Sequence, residues 1–162
     1  MSKAYIAFGS NKGDKIGFIQ KAFETINEDH CCKIIAVSSI YETKPFGKKK
    51  QNNFYNGVFI LETKYDLIKL FLFLKSVENI VGRTPSERWG PREIDLDILF
   101  FDNVIYEDEK LKIPHKGILE RDFVLIPLIE LNENLVHPEF KIKLSEVDFS
   151  KIEKNILGKV KT

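Results

Sequence analysis

The sequence has 162 residues, of which 43% are apolar and 30% are charged. This length and composition exclude a disordered chain, a membrane protein and a multidomain machine. The 25 basic and 24 acidic residues leave a formal net charge of +1, so the chain as a whole has no attraction to nucleic acid or anionic lipid. We therefore expect any polyanion to be held by a local cluster of charged residues.

The cysteines and the N-terminus bear on the cellular compartment. Cys31 and Cys32 are adjacent, so they cannot crosslink distant segments, and no second cysteine pair is present to form a zinc site. We predict two reduced thiols. No signal-like segment precedes the first predicted strand, and no apolar run reaches about 18 residues. We expect a cytoplasmic protein that forms one domain over residues 1–162.

The N-terminal half alternates strand and helix patterns. Apolar residues recur every three or four positions from Ile16 to Ile26, which predicts an amphipathic helix that Asp14 or Ser10 can cap. Gly82 ends a second helix, whose apolar residues lie nearly all round. The predicted elements are strands over 4–8, 34–41 and 54–62, helices over 16–29 and 67–81, and a long polar loop over 42–53.

The C-terminal half begins with a loop over 83–91, where Pro85, Gly90 and Pro91 exclude regular structure. The elements predicted after it are a strand over 94–101, a short strand over 104–106 and helices over 123–131 and 144–152. The β-α-β-β-α-β order predicts an α+β fold of the ferredoxin-like type, an antiparallel sheet covered on one face by helices, with extra C-terminal elements.

Three consecutive lysines, Lys48 to Lys50, lie in the first long loop. A basic run can mark a nucleic-acid patch, but a solvated loop is the simpler interpretation.

The strongest chemical signal is a pair of aspartates, Asp95 and Asp97. Strand side chains alternate between faces, so both carboxylates share one face, opposite Ile94, Leu96 and Ile98. Adjacent carboxylates raise each other's proton affinity, so a cation is expected between them, and oxygen ligands favour Mg²⁺. A solvent-facing pair on an edge strand is the alternative.

Two arginines enter the strand just before the aspartates. Arg88 and Arg92 flank a loop stiffened by Trp89, so guanidinium groups and metal ligands converge. Phosphoryl transfer needs this arrangement, because its transition state carries much charge to stabilise. Arg92 could instead pair with Asp95 or Glu93, and Trp89 could belong to the core.

Other candidates lie in loops and strands. His115 can donate to a phosphate or a leaving group, or it can be structural. Arg121 and Phe123 form a cation and aromatic pair that could face one pocket. Asn56 can offer its amide to a heterocycle or satisfy the backbone. By composition alone, with thirteen phenylalanines in the chain, Phe54 and Phe123 fit a core better than a stacking platform.

One string is highly specific: Arg88-Trp89-Gly90-Pro91-Arg92-x-x-Asp95-Leu96-Asp97. Through it the chain resembles the 6-hydroxymethyl-7,8-dihydropterin pyrophosphokinases. These enzymes of folate biosynthesis transfer pyrophosphate from ATP to the hydroxymethyl group of a pterin and release AMP. The resemblance covers nearly the whole chain and includes Ala4 to Asn11, Val37 to Pro45, Phe54 to Asn56, Glu78, Gly82-Arg83, Pro114-His115, Arg121 and Phe123.

The resemblance implies roles for particular residues. Asp95 and Asp97 would hold two Mg²⁺ ions that bridge the ATP phosphates, and Phe54 and Phe123 would sandwich the pterin. The other implied pterin contacts are Thr43, Pro45, Phe46 and Asn56. The implied nucleotide contacts are Glu78, Arg88, Trp89, Arg92, Ile98, His115 and Arg121. The implied catalytic residues are Arg83, Arg92, Asp95, Asp97 and His115.

The chain also departs from the family pattern. Thr84, Pro85 and Ser86 offer no second arginine in the loop after Gly82, and a lysine from 48–50 is one candidate replacement. The nucleotide side carries lysines where the family has other residues, at Lys110, Lys112 and Lys116. The resemblance therefore does not assign the ATP contacts on that side.

The resemblance implies an in-line displacement, with ATP and 6-hydroxymethyl-7,8-dihydropterin as small-molecule substrates and loops 42–53 and 82–92 closing over them. No nucleic acid, membrane or obligate protein partner is expected. A palm-type nucleotidyltransferase also places an Asp-x-Asp pair on a ferredoxin-like sheet, but it would release pyrophosphate. An RNA-binding module would need exposed aromatics and a basic face, and the sequence shows neither.

Overall fold

In residues 1–47 and 50–161, which the computed structural model describes, six strands form one antiparallel sheet. A further two strands form a separate small hairpin. The strands are β1 Ser2–Ser10, β2 Cys32–Val37, β3 Tyr41–Thr43, β4 Phe54–Thr63, β5 Asp95–Phe101, β6 Tyr106–Glu107, β7 Lys112–Ile113 and β8 Ile156–Lys159. The helices are α1 Lys15–Asn27, α2 Leu67–Val81 and α3 Asp122–Leu131.

The sheet has the ferredoxin-like strand order. Strand β1 lies between β5 and β4, and β2 pairs with the other edge of β4, all antiparallel. This arrangement confirms the predicted fold class. Strand β3 pairs with the same edge of β4 as β2 does, and β8 pairs with β3. The sheet is thus extended beside the beginning of β4.

Local sequence signals explain where the first two helices begin and end. The Asp14 side chain accepts a hydrogen bond from the backbone N–H of Gly17 at the start of α1, and Asp66 does the same for Lys69 in α2. Helix α2 ends at Gly82, whose φ of +120° disfavours any residue with a Cβ. The predicted bounds of this helix, 67–81, match the structure.

Both faces of the sheet are covered, so the prediction of helices on one face only is wrong. On one face, Ala4, Ile6 and Phe8 pack with α1 and α2. On the other, alternate residues such as Tyr5 and Val58 pack against α3. Helix α3 contributes the buried Val124, Leu125 and Leu128. Because α3 is almost entirely apolar, it is stable only against the second face.

Three other elements differ from the predictions. The strand predicted over 34–41 is interrupted at Ser38 and Ser39, since β2 and β3 pair with different parts of β4. The helix predicted over 144–152 is absent from the described chain, which forms two 3₁₀ turns there, Leu144–Glu146 and Phe149–Lys151. Strand β8 was not predicted, because its four residues contain a glycine and are mostly exposed.

Both Cys31 and Cys32 are free thiols, and Cys32 is buried. Among the residues that the structure describes, no helix combines the length and apolar character needed to cross a bilayer.

Candidate active site

Strand β5 presents both aspartates on one face of the sheet. Leu96 and Ile98 are buried on the opposite face, as the alternation predicts. Asp95 and Asp97 are half-buried, and they lie opposite Gly9 and Ala7 of β1. The carboxylates therefore share the face that α3 covers, beside the end of β1.

Two arginines pair with Asp95. Arg92 Nη1 donates to one oxygen of Asp95 at 2.8 Å, and Arg83 Nη1 donates to the other at 3.2 Å. Burial opposes ionisation of this carboxyl, but Arg92 and Arg83 outweigh it and lower its pKa. Asp95 is therefore ionised, and it holds both guanidinium groups beside the two aspartates. The pairing of Arg92 with Asp95 was one of the alternatives open in the sequence.

Asp97 differs from Asp95 in its surroundings. Within the described residues, its carboxylate accepts no hydrogen bond and lies in no ion pair. Burial and the neighbouring Asp95 raise its pKa to about 7. A half-buried carboxylate with another carboxylate beside it is complementary to a bound cation.

The donor set fits a hard cation such as Mg²⁺. Asp95 and Asp97 provide carboxylate oxygens only, which Mg²⁺ prefers. The described residues contain no cluster of three or more histidines, cysteines or acidic side chains. Two protein carboxylates leave most positions on an ion for phosphate oxygens and water, as is usual for Mg²⁺ at phosphate-transfer sites.

Glu78 lies behind the aspartates rather than among them. Its carboxylate accepts a hydrogen bond from the backbone N–H of Leu96 at 2.7 Å and another from Arg83 at 2.8 Å. The side chain is buried, which raises its pKa. Glu78 thus joins α2 to β5 and holds Arg83. The structure places it beneath the site, whereas the resemblance implied a nucleotide contact.

A first cavity of about 100 Å³ lies on the face of the two aspartates. Phe54 and Phe123 both line it. The other predicted site residues that line it are Phe46, Asn56, Trp89, Arg92, Asp95, Asp97, His115 and Arg121. Sequence reasoning missed Lys44, Gly9 and Val124, which also line it.

The end of this cavity is polar. Asn56 donates from Nδ2 to Thr43 Oγ1 at 2.7 Å. This hydrogen bond links two of the residues predicted to contact the pterin. A side chain at position 9 would collide with Asn56 Oδ1. Gly9 is therefore required for the close approach of Asn56 across β1. Thr43 and Pro45 are buried behind the wall that Phe46 forms.

An aromatic and cationic cluster covers the cavity. Phe46 has its ring centre 5.9 Å from that of Trp89 and 6.1 Å from that of Phe123. The Arg121 guanidinium lies 4.6 Å from the centre of the Phe46 ring, a cation–π distance. Burial lowers the pKa of Arg121. Trp89 has a φ of +65°, a strained backbone conformation of the kind found at ligand clamps.

A second cavity, of about 390 Å³, lies beside the first. It contains Ile98, as expected for the nucleotide side, together with the three lysines that depart from the family pattern, Lys110, Lys112 and Lys116. Lys75 of α2 also lines it, with its Nζ 3.4 Å from Glu78 Oε1. Lys75 was not predicted from the sequence, because a lysine in an amphipathic helix usually faces solvent.

His115 lines both cavities. Its Nδ1 accepts a hydrogen bond from the backbone N–H of Gly117 at 3.0 Å. Burial, with help from Arg121 and Lys116, lowers its pKa to about 4. The imidazole is therefore neutral at physiological pH with its proton on Nε2, which can donate to an anionic oxygen.

The two loops beside the cavities contact each other. Gln51 Nε2 donates to the backbone oxygen of Trp89 at 2.6 Å. Arg88 is exposed and its guanidinium lies 5.5 Å from the Trp89 ring. Lys12 Nζ donates to Thr84 Oγ1 at 3.1 Å. Of the candidate replacements, Lys48 and Lys49 lie outside the described residues and Lys50 is exposed, so this prediction stays open.

Comparisons with known proteins point to one family. A model of the 7,8-dihydro-6-hydroxymethylpterin-pyrophosphokinase (HPPK) family matches residues 5–133. The chain is 40% identical over 148 residues to a 2-amino-4-hydroxy-6-hydroxymethyldihydropteridine pyrophosphokinase of Aquifex aeolicus, and the match covers 90% of each chain. It is 38% identical over 142 residues to the protein of that name from Haemophilus influenzae, covering 88% and 89%.

Longer proteins match over part of their length. The chain is 44% identical over 135 residues to the folic acid synthesis protein fol1 of Schizosaccharomyces pombe, but this match spans only 18% of fol1. A crystal structure of HPPK-DHPS in complex with substrates has a TM-score of 0.72 and 17% identity, over 92% of this chain and 43% of that one. At this identity the likeness shows the fold alone.

Proposed function

Because the chain belongs to the 7,8-dihydro-6-hydroxymethylpterin-pyrophosphokinase family, we propose that it transfers pyrophosphate from ATP to the hydroxymethyl group of 6-hydroxymethyl-7,8-dihydropterin. The products are AMP and the pterin diphosphate, in the folate biosynthetic pathway. Both substrates are small molecules, and the reaction requires no nucleic acid or protein partner.

One observation carries this proposal: Asp97 lines both cavities, and so does His115. The phosphates of a nucleotide in the second cavity can therefore meet a substrate in the first. The first cavity is aromatic and contains Asn56, whose amide bonds to Thr43 behind it, and this suits a flat, uncharged heterocycle with an amide edge. The second cavity contains Ile98 and several lysines, which suit a nucleoside and its charged phosphates.

In the pterin cavity, Phe54 and Phe123 would stack on the two faces of the ring. Stacking supplies affinity without charge, and the Asn56 amide supplies the hydrogen bonds that distinguish a pterin from other flat rings. The buried position of Thr43 fixes the orientation of that amide.

Asp95 and Asp97 are the residues that would hold Mg²⁺, and two ions is the number we propose. Bound Mg²⁺ would neutralise the phosphates and polarise the phosphorus under attack. The side chains around the site would supply the remaining contributions to catalysis.

In the reaction, the hydroxymethyl oxygen attacks the β-phosphorus and forms the new O–P bond. The bond from the β-phosphorus to the oxygen of the α-phosphate breaks and its electron pair leaves with AMP. The hydroxyl proton passes to a phosphate oxygen and leaves the site with the products. Asp95 pairs with both Arg83 and Arg92. Arg92 lines the first cavity and stabilises the charge on the transferred group. Arg83 lines neither cavity and supports this role through Asp95. His115 donates its Nε2 proton as a hydrogen bond to a phosphate oxygen.

The two loops exclude water from this reaction. Loop 42–53 and loop 82–92 are joined across the cavity by Gln51 and Trp89. Water in the site would hydrolyse ATP, so closure of these loops over both substrates favours transfer to the pterin.

The test is an assay for AMP and pyrophosphate with ATP, Mg²⁺ and the pterin. The protein should release AMP only when the pterin is present. Asp97→Asn and Asp95→Asn should each lower kcat about 100-fold or more, since each loses a carboxylate that stabilises the transition state. Asp102→Asn is the matched control, because Asp102 lies at the exposed end of β5. Pyrophosphate as the released product would instead support a nucleotidyltransferase.

A further inference from the structure

The C-terminal strand is tied to the first cavity by one buried carboxylate. Asp122 is the first residue of α3 and precedes Phe123. Its Oδ2 accepts hydrogen bonds from the backbone N–H groups of Asn155 at 2.9 Å and Ile156 at 3.0 Å. The start of α3, and with it the position of Phe123, is thus fixed to residues more than thirty positions later in the chain.

The same segment, residues 155–156, also fixes the part of the cavity lining that contains Lys44 and Phe46. The backbone oxygen of Asn155 accepts a hydrogen bond from the N–H of Lys44 at 2.9 Å. In the adjoining ladder Ile156 pairs with Thr43. Lys44 itself lines the cavity, as does Phe46 two residues later. One short segment therefore connects the wall that contains Phe123 with the wall formed by residues 43–46.

The polar atoms of this junction are poorly satisfied for a purely structural feature. Asn155 is fully buried, and neither Nδ2 nor Oδ1 has a hydrogen-bond partner among the described residues. Asp122 Oδ1 is likewise without a partner there. Buried polar atoms without hydrogen-bond partners lower the stability of a fold. Its polarity is therefore better explained by the geometry that it imposes on the cavity.

We propose that Asp122 is a positioning residue for the pterin, setting the position of Phe123 relative to residues 43–46 of the cavity lining. This proposal rests on the proposed function. It extends the pterin site to strand β8, which lies beyond residues 5–133 that the family model matches. Asp122 acts through its neighbours and does not itself line the cavity.

The kinetic test is Asp122→Asn, which keeps the shape of the side chain and removes its charge. The KM for the pterin should rise about 10-fold, while the KM for ATP and kcat should change less than about 2-fold, because only one cavity is distorted. Asp148→Asn is the matched control, since Asp148 is exposed in the same C-terminal segment and accepts from the N–H of Ser150. It should leave both KM values unchanged.

Several outcomes would overturn the proposal. A lower melting temperature with unchanged KM values would show a merely structural role, and an equal rise of both KM values would show a general distortion. Should Asp122→Asn not fold, amide hydrogen exchange of the wild-type chain decides the question. A pterin analogue should slow exchange at Lys44, Asn155 and Ile156, and no change there contradicts the proposal. Wild-type protein without pterin-dependent AMP release would instead contradict the proposed function.

Discussion

Asn11 and Arg92 are joined by two hydrogen bonds in opposite directions. The backbone N–H of Asn11 donates to the backbone oxygen of Arg92 at 3.0 Å, and the N–H of Arg92 donates to Asn11 Oδ1 at 2.8 Å. The Nδ2 of the same side chain donates to Gln51 Oε1 and to the backbone oxygen of Asn52, both at 2.9 Å. One buried amide therefore joins the two loops that flank the cavities.

Asn11→Ala should weaken the connection between these loops. The substitution removes the side-chain bonds to Arg92, Gln51 and Asn52 and keeps the backbone bond to Arg92. We expect kcat/KM to fall about 10- to 100-fold because loop closure is impaired. Trp89 is the only tryptophan in the sequence, so its fluorescence reports on loop 82–92. Acrylamide should quench Trp89 more efficiently in the variant when a non-hydrolysable ATP analogue is bound.

Asn103→Ala is the control for that experiment, since Asn103 is exposed in the turn after β5. It should leave both kcat/KM and the quenching unchanged. Unaltered quenching in Asn11→Ala would show that the two loops close independently of this amide.

Lys75→Met should weaken binding of the nucleotide and not of the pterin. Lys75 lines only the second cavity and lies beside the acidic groups of the site. Loss of this cation should raise the KM for ATP about 3- to 10-fold. The KM for the pterin should stay the same. The comparison is with Lys69→Met, an exposed position on the same helix, and equal effects at the two positions would remove any specific role for Lys75.

Elements with a strong internal period were predictable. The two-residue alternation of β5 placed Asp95 and Asp97 on one face, and the apolar pattern of α2 gave its bounds. The interruption of the second strand at Ser38 was not predictable, because the Ser38 side chain accepts a hydrogen bond from Val58 of β4. Such a bond forms only once the sheet has formed.

Residues that act through distant partners were also missed. Asp122 resembles an ordinary first-turn acidic residue, and only the fold brings Asn155 to it. The helix predicted over 144–152 failed for a related reason. Its polar residues bond locally, as Asp148 does with Ser150, and these bonds stabilise 3₁₀ turns in place of a continuous helix.

The two adjacent cysteines should differ in reactivity. Cys32 is buried, and this burial raises the pKa of its thiol to about 11, so little thiolate is present at pH 8. Cys31 is half-buried. Iodoacetamide should therefore modify Cys31 first in the folded protein, and both residues in denaturant. Peptide mass spectrometry measures the two rates, and equal rates in the folded protein would contradict this assignment.

His137 should make the fold less stable in mild acid. The imidazole is buried and stacks on Phe140 at 4.6 Å, and its Nδ1 accepts from the backbone N–H groups of Glu139 and Phe140. Burial lowers the pKa of His137, with Glu139 opposing the shift and Lys112 adding to it.

The unfolded chain, where the histidine pKa is about 6.5, therefore binds a proton more readily than the folded chain. The free energy of unfolding should fall as the pH decreases below about 6.5, by at most about 1.4 kcal/mol per pH unit for this one group. Urea unfolding at pH 7.5, 6.5 and 5.5 measures the effect. His137→Asn keeps a neutral acceptor and should show a weaker pH dependence despite lower stability. His30→Asn, at an exposed position, should retain the wild-type dependence, and the same dependence in all three proteins would exclude His137 as its source.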